Sequence, residues 1–171
     1  MAKLAAMLIR PAEDADIPNI TDLHNWAIRE TAALFRDEPV DQAERREWFH
    51  DRRADGYPVF VAVEEDGSFL GWASYGRFRA APGYRHTVEN SIYVHPDAHG
   101  KGVGRKLMGS LIDAARRDGT IHSMVATVEG DNTGSLRLHE KLGFREHGRL
   151  PEVGRKFDRW LDLVYLQLIL D

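Results

Sequence analysis

The chain has 171 residues, 43% of them apolar and 29% charged, with a net charge of −4, so it is long enough and apolar enough to bury a core in one domain spanning residues 1–171. The acidic balance gives no basic surface for nucleic acid, and the short apolar run before Arg10 and Pro11 is too brief for a membrane or signal segment. A cytoplasmic location is expected, with residues 1–6 as an N-terminal extension. The chain has no cysteine, which excludes disulfides, thiolate-held metals and an acyl-cysteine intermediate; no metal site is expected.

In chain order, Leu8 and Ile9 read as a short strand. Ile17, Ile20, Leu23, Trp26 and Ala27 have helical spacing, so a helix is expected over 17–30, capped by Asp14 or Asp16. A second helix is expected over 41–55, with Asp41 as its cap and Gly56-Tyr57-Pro58 closing it. Strands follow over 59–63 and 69–75, joined by a turn at Asp66-Gly67. A third covers 87–94 and ends where Pro96 cannot continue a ladder. Val103, Leu107, Leu111, Ile112 and Ala115 form the stripe of an amphipathic helix over 102–118, ended by Gly119. A strand over 123–128 and a helix over 133–142, stopped by Gly143, come next. Phe144 opens a further strand. The apolar run 160–170 reads as a last strand covered on both faces. The pattern is mixed α/β (α+β).

The segment from His99 to Arg105 joins a strand to a helix start. Helix N-termini present unpaired N–H groups and partial positive charge, and glycines let backbone approach an anion closely. The P-loop spacing fails because no Lys-Ser or Lys-Thr follows. The dinucleotide spacing fails because Arg105 falls where its last glycine belongs. The pattern [RQ]-x-x-G-x-[GA] fits better, with His99, Gly102 and Gly104 at its fixed places. The loop by itself leaves a merely flexible connection open.

Four stretches in order carry a resemblance: Thr87 to Pro96, Gly100 to Arg105, Asp131-Asn132 with Leu138 to Phe144, and Val153 to Phe157 with Arg159 to Asp162. On these the chain resembles the GCN5-related N-acetyltransferase (GNAT) superfamily, and within it the phosphinothricin and methionine-sulfone acetyltransferase group of L-amino acid N-acyltransferases. The resemblance implies the GNAT fold, a central mixed and mostly antiparallel sheet flanked by helices. It implies acetyl-CoA as co-substrate and direct transfer to the amino group of a small amino acid or analogue. Backbone groups of Ile92, Tyr93 and Val94 would then pair with the pantetheine arm. The amides of Gly100, Lys101, Gly102, Val103, Gly104 and Arg105 would take the pyrophosphate, and Asn132 would touch the cofactor or cap its helix. Where the superfamily has Arg or Gln, this chain has His99, which shifts the phosphate grip onto backbone.

The chemistry needs a base for the ammonium, donors for the carbonyl oxygen and a proton for the departing thiolate. Glu89 is the candidate base. A carboxylate buried among Val88, Ile92 and Val94 has its pKa raised, though a solvent-facing glutamate is the alternative. His139 stands where many members have a tyrosine and is the candidate proton donor. The amide of Val94 is the candidate oxyanion donor. Acceptor contacts are expected from Tyr75, Arg77, Phe78, Pro82, Gly83, Tyr84, Arg85, His86, Asn90 and Ser91, besides Glu89, with Phe35 as a cover. Core packing for Phe35 and solvated charge for Arg77 and Arg85 are the competing readings. The C-terminal motifs imply a homodimer. Transfer to another small amine or a peptide N-terminus, or an acyl-CoA sensor without chemistry, are the other functional readings; a polyamine would want an acidic pocket.

Overall fold

The computed structural model describes residues 7–170, so the expected extension over 1–6 lies outside the described residues. Strand β1 (Leu8–Pro11) leads through a single 3-10 turn into helix α1 (Ile17–Glu30), which is followed by helix α2 (Gln42–Ala54). Strands β2 (Val59–Val63), β3 (Phe69–Arg77) and β4 (Thr87–Val94) come next, then helix α3 (Val103–Asp118) and strand β5 (Ser123–Glu129). Helix α4 (Thr133–Lys141) and strands β6 (Arg145–Lys156) and β7 (Arg159–Ile169) complete the order expected from the sequence.

The caps are local. Asp41 accepts from the Glu44 amide at 2.8 Å and starts α2, and Asn132 accepts from Ser135 at 3.2 Å and starts α4. Gly119, with φ of 72°, ends α3 in a conformation that glycine adopts without strain. Phe157 and Asp158 both have positive φ, at 50° and 56°, and make the tight turn of the β6–β7 hairpin.

The strands form one seven-stranded sheet in the order β1-β2-β3-β4-β5-β7-β6. All neighbours are antiparallel except β4 and β5. Helices α1 and α2 cover one face, where Ile17, Ile20, Phe49, Val61 and Trp72 are buried together. Helix α3 covers the other with Leu107, Met108, Leu111 and Ala115 packed on Val88, Met124 and Leu166. Because side chains alternate across a strand, Val88, Asn90, Ile92 and Val94 of β4 face α3, and Glu89, Ser91 and Tyr93 face α1 and α2.

One expectation fails in β7. The run 160–170 is not covered on both faces: Leu161, Val164, Leu166 and Leu168 are buried, while Trp160 is 61% exposed. Val164, Leu166 and Leu168 face the α3 core and the alternate residues Leu163, Tyr165 and Gln167 are half-buried, whereas Leu161, of the other parity, is buried as the register partner of Gly154. Strand β6 is the edge, nearly all exposed, and carries Pro151, which an edge tolerates.

Candidate active site

Strands β4 and β5 pair only at Thr87–Ser123, Val88–Met124 and Glu89–Val125. Beyond Glu89 they part. The His95 amide donates to Leu70 and the Phe78 amide to Thr87, which sets the odd-numbered residues of β4 in the ladder with β3. Alternation then turns the backbone groups of Asn90, Ile92 and Val94 toward the gap. The backbone groups of Ile92 and Val94 are therefore outside the β3 ladder, and the Val94 amide points into the gap. Tyr93 differs from the expectation: its backbone groups belong to the β3 ladder, and its side chain stacks on Trp72 at 4.8 Å. The Val94 carbonyl accepts from His99 Nε2 at 3.0 Å, so His99 ties the loop to the strand end.

At the start of α3, Gly100 and Gly102 have φ of 76° and 80°, and a Cβ on either would meet nothing within 4 Å. Both backbones face open space. Gly102 is the N-cap and offers no side chain, so the first-turn amides of Val103, Gly104 and Arg105 have no capping acceptor. The Lys101 amide is spent on Ala98 at 3.3 Å, which removes it from the expected set of free donors. Gly104 permits close packing, since a Cβ there would crowd Leu138 at 3.1 Å. The gap and this loop open on a cleft of about 630 Å³, with Asn132, Ser135 and Leu138 on one wall and Trp26, Ala27 and Thr31 to Ala33 on another.

Glu89 and His139 approach β4 from opposite faces. Glu89 is half-buried and accepts from Thr127 Oγ1 at 2.6 Å, which fixes its carboxylate across the gap. His139 is 1% exposed and is not on the cleft wall. Its Nδ1 lies 2.8 Å from the Ser135 carbonyl and 3.4 Å from the Ser135 hydroxyl. Its Nε2 lies 3.1 Å from Oδ1 of Asn90, whose amide donates to the Val125 carbonyl at 3.2 Å. Burial pushes the ring's pKa down, against the Ser135 hydrogen bond, which raises it. His139 thus reaches the cleft only through Ser135.

An acetyltransferase (GNAT) family model matches residues 20–144. The chain belongs to this family. It is 50% identical over 165 residues to an L-methionine sulfoximine/L-methionine sulfone acetyltransferase of Salmonella typhimurium, covering 96% of this chain and 95% of that protein. A phosphinothricin N-acetyltransferase of Streptomyces coelicolor is 38% identical, covering 98% of both. The structure of yncA from Salmonella typhimurium with its cofactor acetyl-CoA superposes with a TM-score of 0.93 at 51% identity, covering 97% of this chain and 95% of that one.

Within this GNAT fold the expected acceptor residues do not all converge. Ser91 shares the Glu89 face. Tyr75 and Asn90 lie on the other: Tyr75 is 3% exposed in the α3 core, where burial pushes its pKa up to about 12. Arg77 ends β3 at the surface beside Trp48 and Arg52. Pro82, Gly83 and Tyr84 form an exposed turn, with Tyr84 edge-on to Phe78 at 5.7 Å. Arg85 folds back on Pro82, and His86 bonds Thr120 at the far end of β5, away from the gap.

Phe35 lies against Gly154, where a Cβ would overlap its ring. Beside it, the buried Lys156 donates to the carbonyls of Ile28, Thr31 and Leu34 at 2.6, 2.8 and 2.8 Å, pinning the segment that lines the cleft. Thr127, Ser135 and Lys156 were not legible as site residues. A signal for Thr127 exists: it shares the side-chain parity of the gap-facing residues of β5, two beyond the last paired residue Val125.

Proposed function

We propose that this protein acetylates the amino group of a small amino acid of the methionine sulfone, methionine sulfoximine or phosphinothricin class, using acetyl-CoA. The observation that carries the reading is the parting of β4 and β5 after Glu89, which leaves strand backbone and uncapped helix amides around one cleft, with the Glu89 carboxylate at the point of parting. The residues fit the nucleotide thioester: the backbones at Gly100 and Gly102 are open to an anion, and Ile92 and Val94 offer strand groups to an extended amide-bearing arm.

Bound acetyl-CoA supplies an activated acetyl group. Glu89 takes the proton from the acceptor's ammonium, and Thr127 holds its carboxylate for that purpose. The amine nitrogen forms its bond to the acetyl carbon as the carbon–sulfur bond breaks. The Val94 amide stabilises charge on the carbonyl oxygen. As the amide forms, the amine's second proton passes to the departing sulfur through the Ser135 hydroxyl, with Nδ1 of His139 3.4 Å behind it as the relay. Transfer is direct on this reading, and no cysteine is present to carry the acetyl group.

The protein works as a cytoplasmic homodimer on this reading. Support comes from the exposed apolar side chains of the β6–β7 hairpin, Leu150, Val153, Phe157 and Trp160, on an otherwise polar sheet edge. Sedimentation equilibrium at micromolar concentration is expected to give twice the chain mass; a monomer there would contradict it.

Released coenzyme A can be read with a thiol reagent, since the chain contributes no thiol. Methionine sulfone, methionine sulfoximine and phosphinothricin are expected to drive release, and spermidine and peptide N-termini to drive far less. Release with spermidine alone would overturn the assignment.

A further inference from the structure

Helix α2 carries two pairs of arginines, and only the outer pair is neutralised. Arg46 and Arg53 lie 3.5 and 3.9 Å from the carboxylate of Asp14. Arg45 and Arg52 have no carboxylate within ion-pair distance among the described residues, and unlike a surface arginine Arg45 is also withheld from water. Positions 45, 48, 49 and 52 share one helix face, so Trp48 and Phe49 stand between the two cations.

Arg45 is 6% exposed, and its Nε has no hydrogen-bond partner. Its guanidinium lies 4.6 Å from the centre of Trp48 and 5.8 Å from that of Trp72. Burial lowers its pKa to about 10, with Tyr93 and Glu44 acting the other way through space. Arg52 stacks on the same Trp48 indole at 5.6 Å. Its guanidinium fills the space in front of Gly76, where a Cβ would overlap Nη1. Gly76 is the register partner of Glu89, so Arg52 sits beside the candidate base. Asp55 and Glu89 act on Arg52 only from a distance.

Two further polar atoms nearby are unpartnered, Nδ1 of His24 and Nε1 of Trp72. The His24 ring lies 5.5 Å from Tyr93 and 6.1 Å from Trp72. It is neutral, because burial, then Arg45 and Arg36, lower its pKa to about 3. A guanidinium held out of water without a counter-anion is costly, and stacking on indoles returns only part of the loss. Two such cations drawn to one indole, next to a carboxylate that must meet an ammonium, make a site that lacks an anion.

We propose that Arg45 and Arg52, held on Trp48, form the subsite that takes the carboxylate of the amino-acid acceptor. The inference rests on the acceptor being an amino acid. In such an acceptor the carboxyl carbon is two bonds from the amine nitrogen. An ammonium on Glu89 therefore places its carboxylate toward Arg52, and Arg45 completes the fork. The same cations repel polyamines.

The test compares methionine sulfone with its carboxamide in wild type and in Arg45→Gln and Arg52→Gln. In wild type the acid is expected to exceed the amide in kcat/KM by at least about tenfold. In each variant the acid falls at least about tenfold while the amide stays within about twofold, so the preference collapses, mostly through KM. The calorimetric Kd for acetyl-CoA stays at the wild-type value. A parallel fall of acid and amide would mean that the arginines only pack, and would overturn the proposal. So would an unchanged acid preference. If Arg45→Gln does not fold, Arg45→Lys is read instead: a weakened acid preference supports the fork, and an unchanged one overturns it. A wild type that acetylates neither compound overturns the amino-acid reading and the subsite together; one that acetylates both equally overturns the subsite alone.

Discussion

Glu89 and His139 do not form a dyad. Strand β4 stands between them, with Glu89 on the α1–α2 face and His139 on the α3–α4 face. Their roles separate accordingly. Glu89→Gln keeps the hydrogen bond from Thr127 but cannot take a proton, so kcat/KM for methionine sulfone is expected to fall about 10²- to 10⁴-fold with little change in acetyl-CoA affinity. Steady-state rates and calorimetry check this, and full activity in the variant would remove Glu89 from the chemistry. On the proposed mechanism Ser135 and His139 act as one unit. Ser135→Ala and His139→Ala are each expected to lower kcat, and the double variant to lose little more than the worse single one. Additive losses in a double-mutant cycle would separate the pair. The position of Glu89 on β4 was legible from its strand and motif. The route from His139 through Ser135 was not, because it depends on which way one helix turn faces the cleft.

Helix and strand positions were read well where local chemistry sets them. The stripe of α3, the Asp41 cap and the glycine stops of α3 and α4 need only neighbours in sequence. The parting of β4 from β5 needs strands far apart in the chain, and no periodicity encodes it. Asn90 and Tyr75 sit opposite each other in register, on the face away from Glu89, a separation that follows from strand parity and not from closeness in sequence. Lys156 was equally hidden, since its three carbonyl partners lie in and after α1, more than a hundred positions away. Its link between β6 and the α1–α2 connection predicts an effect beyond stability. Lys156→Met leaves three carbonyls short of a donor and is expected to cost about 2–3 kcal/mol in urea unfolding. It should also raise KM for the acceptor, because residues 31–33 line the cleft. A stability loss with an unchanged KM would confine Lys156 to a structural role.

Across the whole molecule, stability and function meet in the α1–α2 face. His24 is buried, and its pKa is lowered to about 3 by burial and then by Arg45 and Arg36. The unfolded chain protonates this ring near its ordinary value of about 6.5. Between those two values the unfolded state binds the extra proton, so stability falls as pH drops, by at most about 1.4 kcal/mol per unit from this group. Urea unfolding at pH 7 and pH 5 is expected to show the loss in wild type and a smaller loss in His24→Asn. An equal loss in both would show that His24 does not carry it.

The central claim is acetyl transfer straight to an amino acid's amine at the gap between β4 and β5. Mass spectrometry of a reaction with isotope-labelled acetyl-CoA and methionine sulfone tests it most directly. The account predicts labelled N-acetylmethionine sulfone, acetylated at the α-nitrogen, with the protein mass unchanged throughout turnover. A labelled protein that then passes its acetyl group on, or coenzyme A released with no acetylated amino acid, would contradict it.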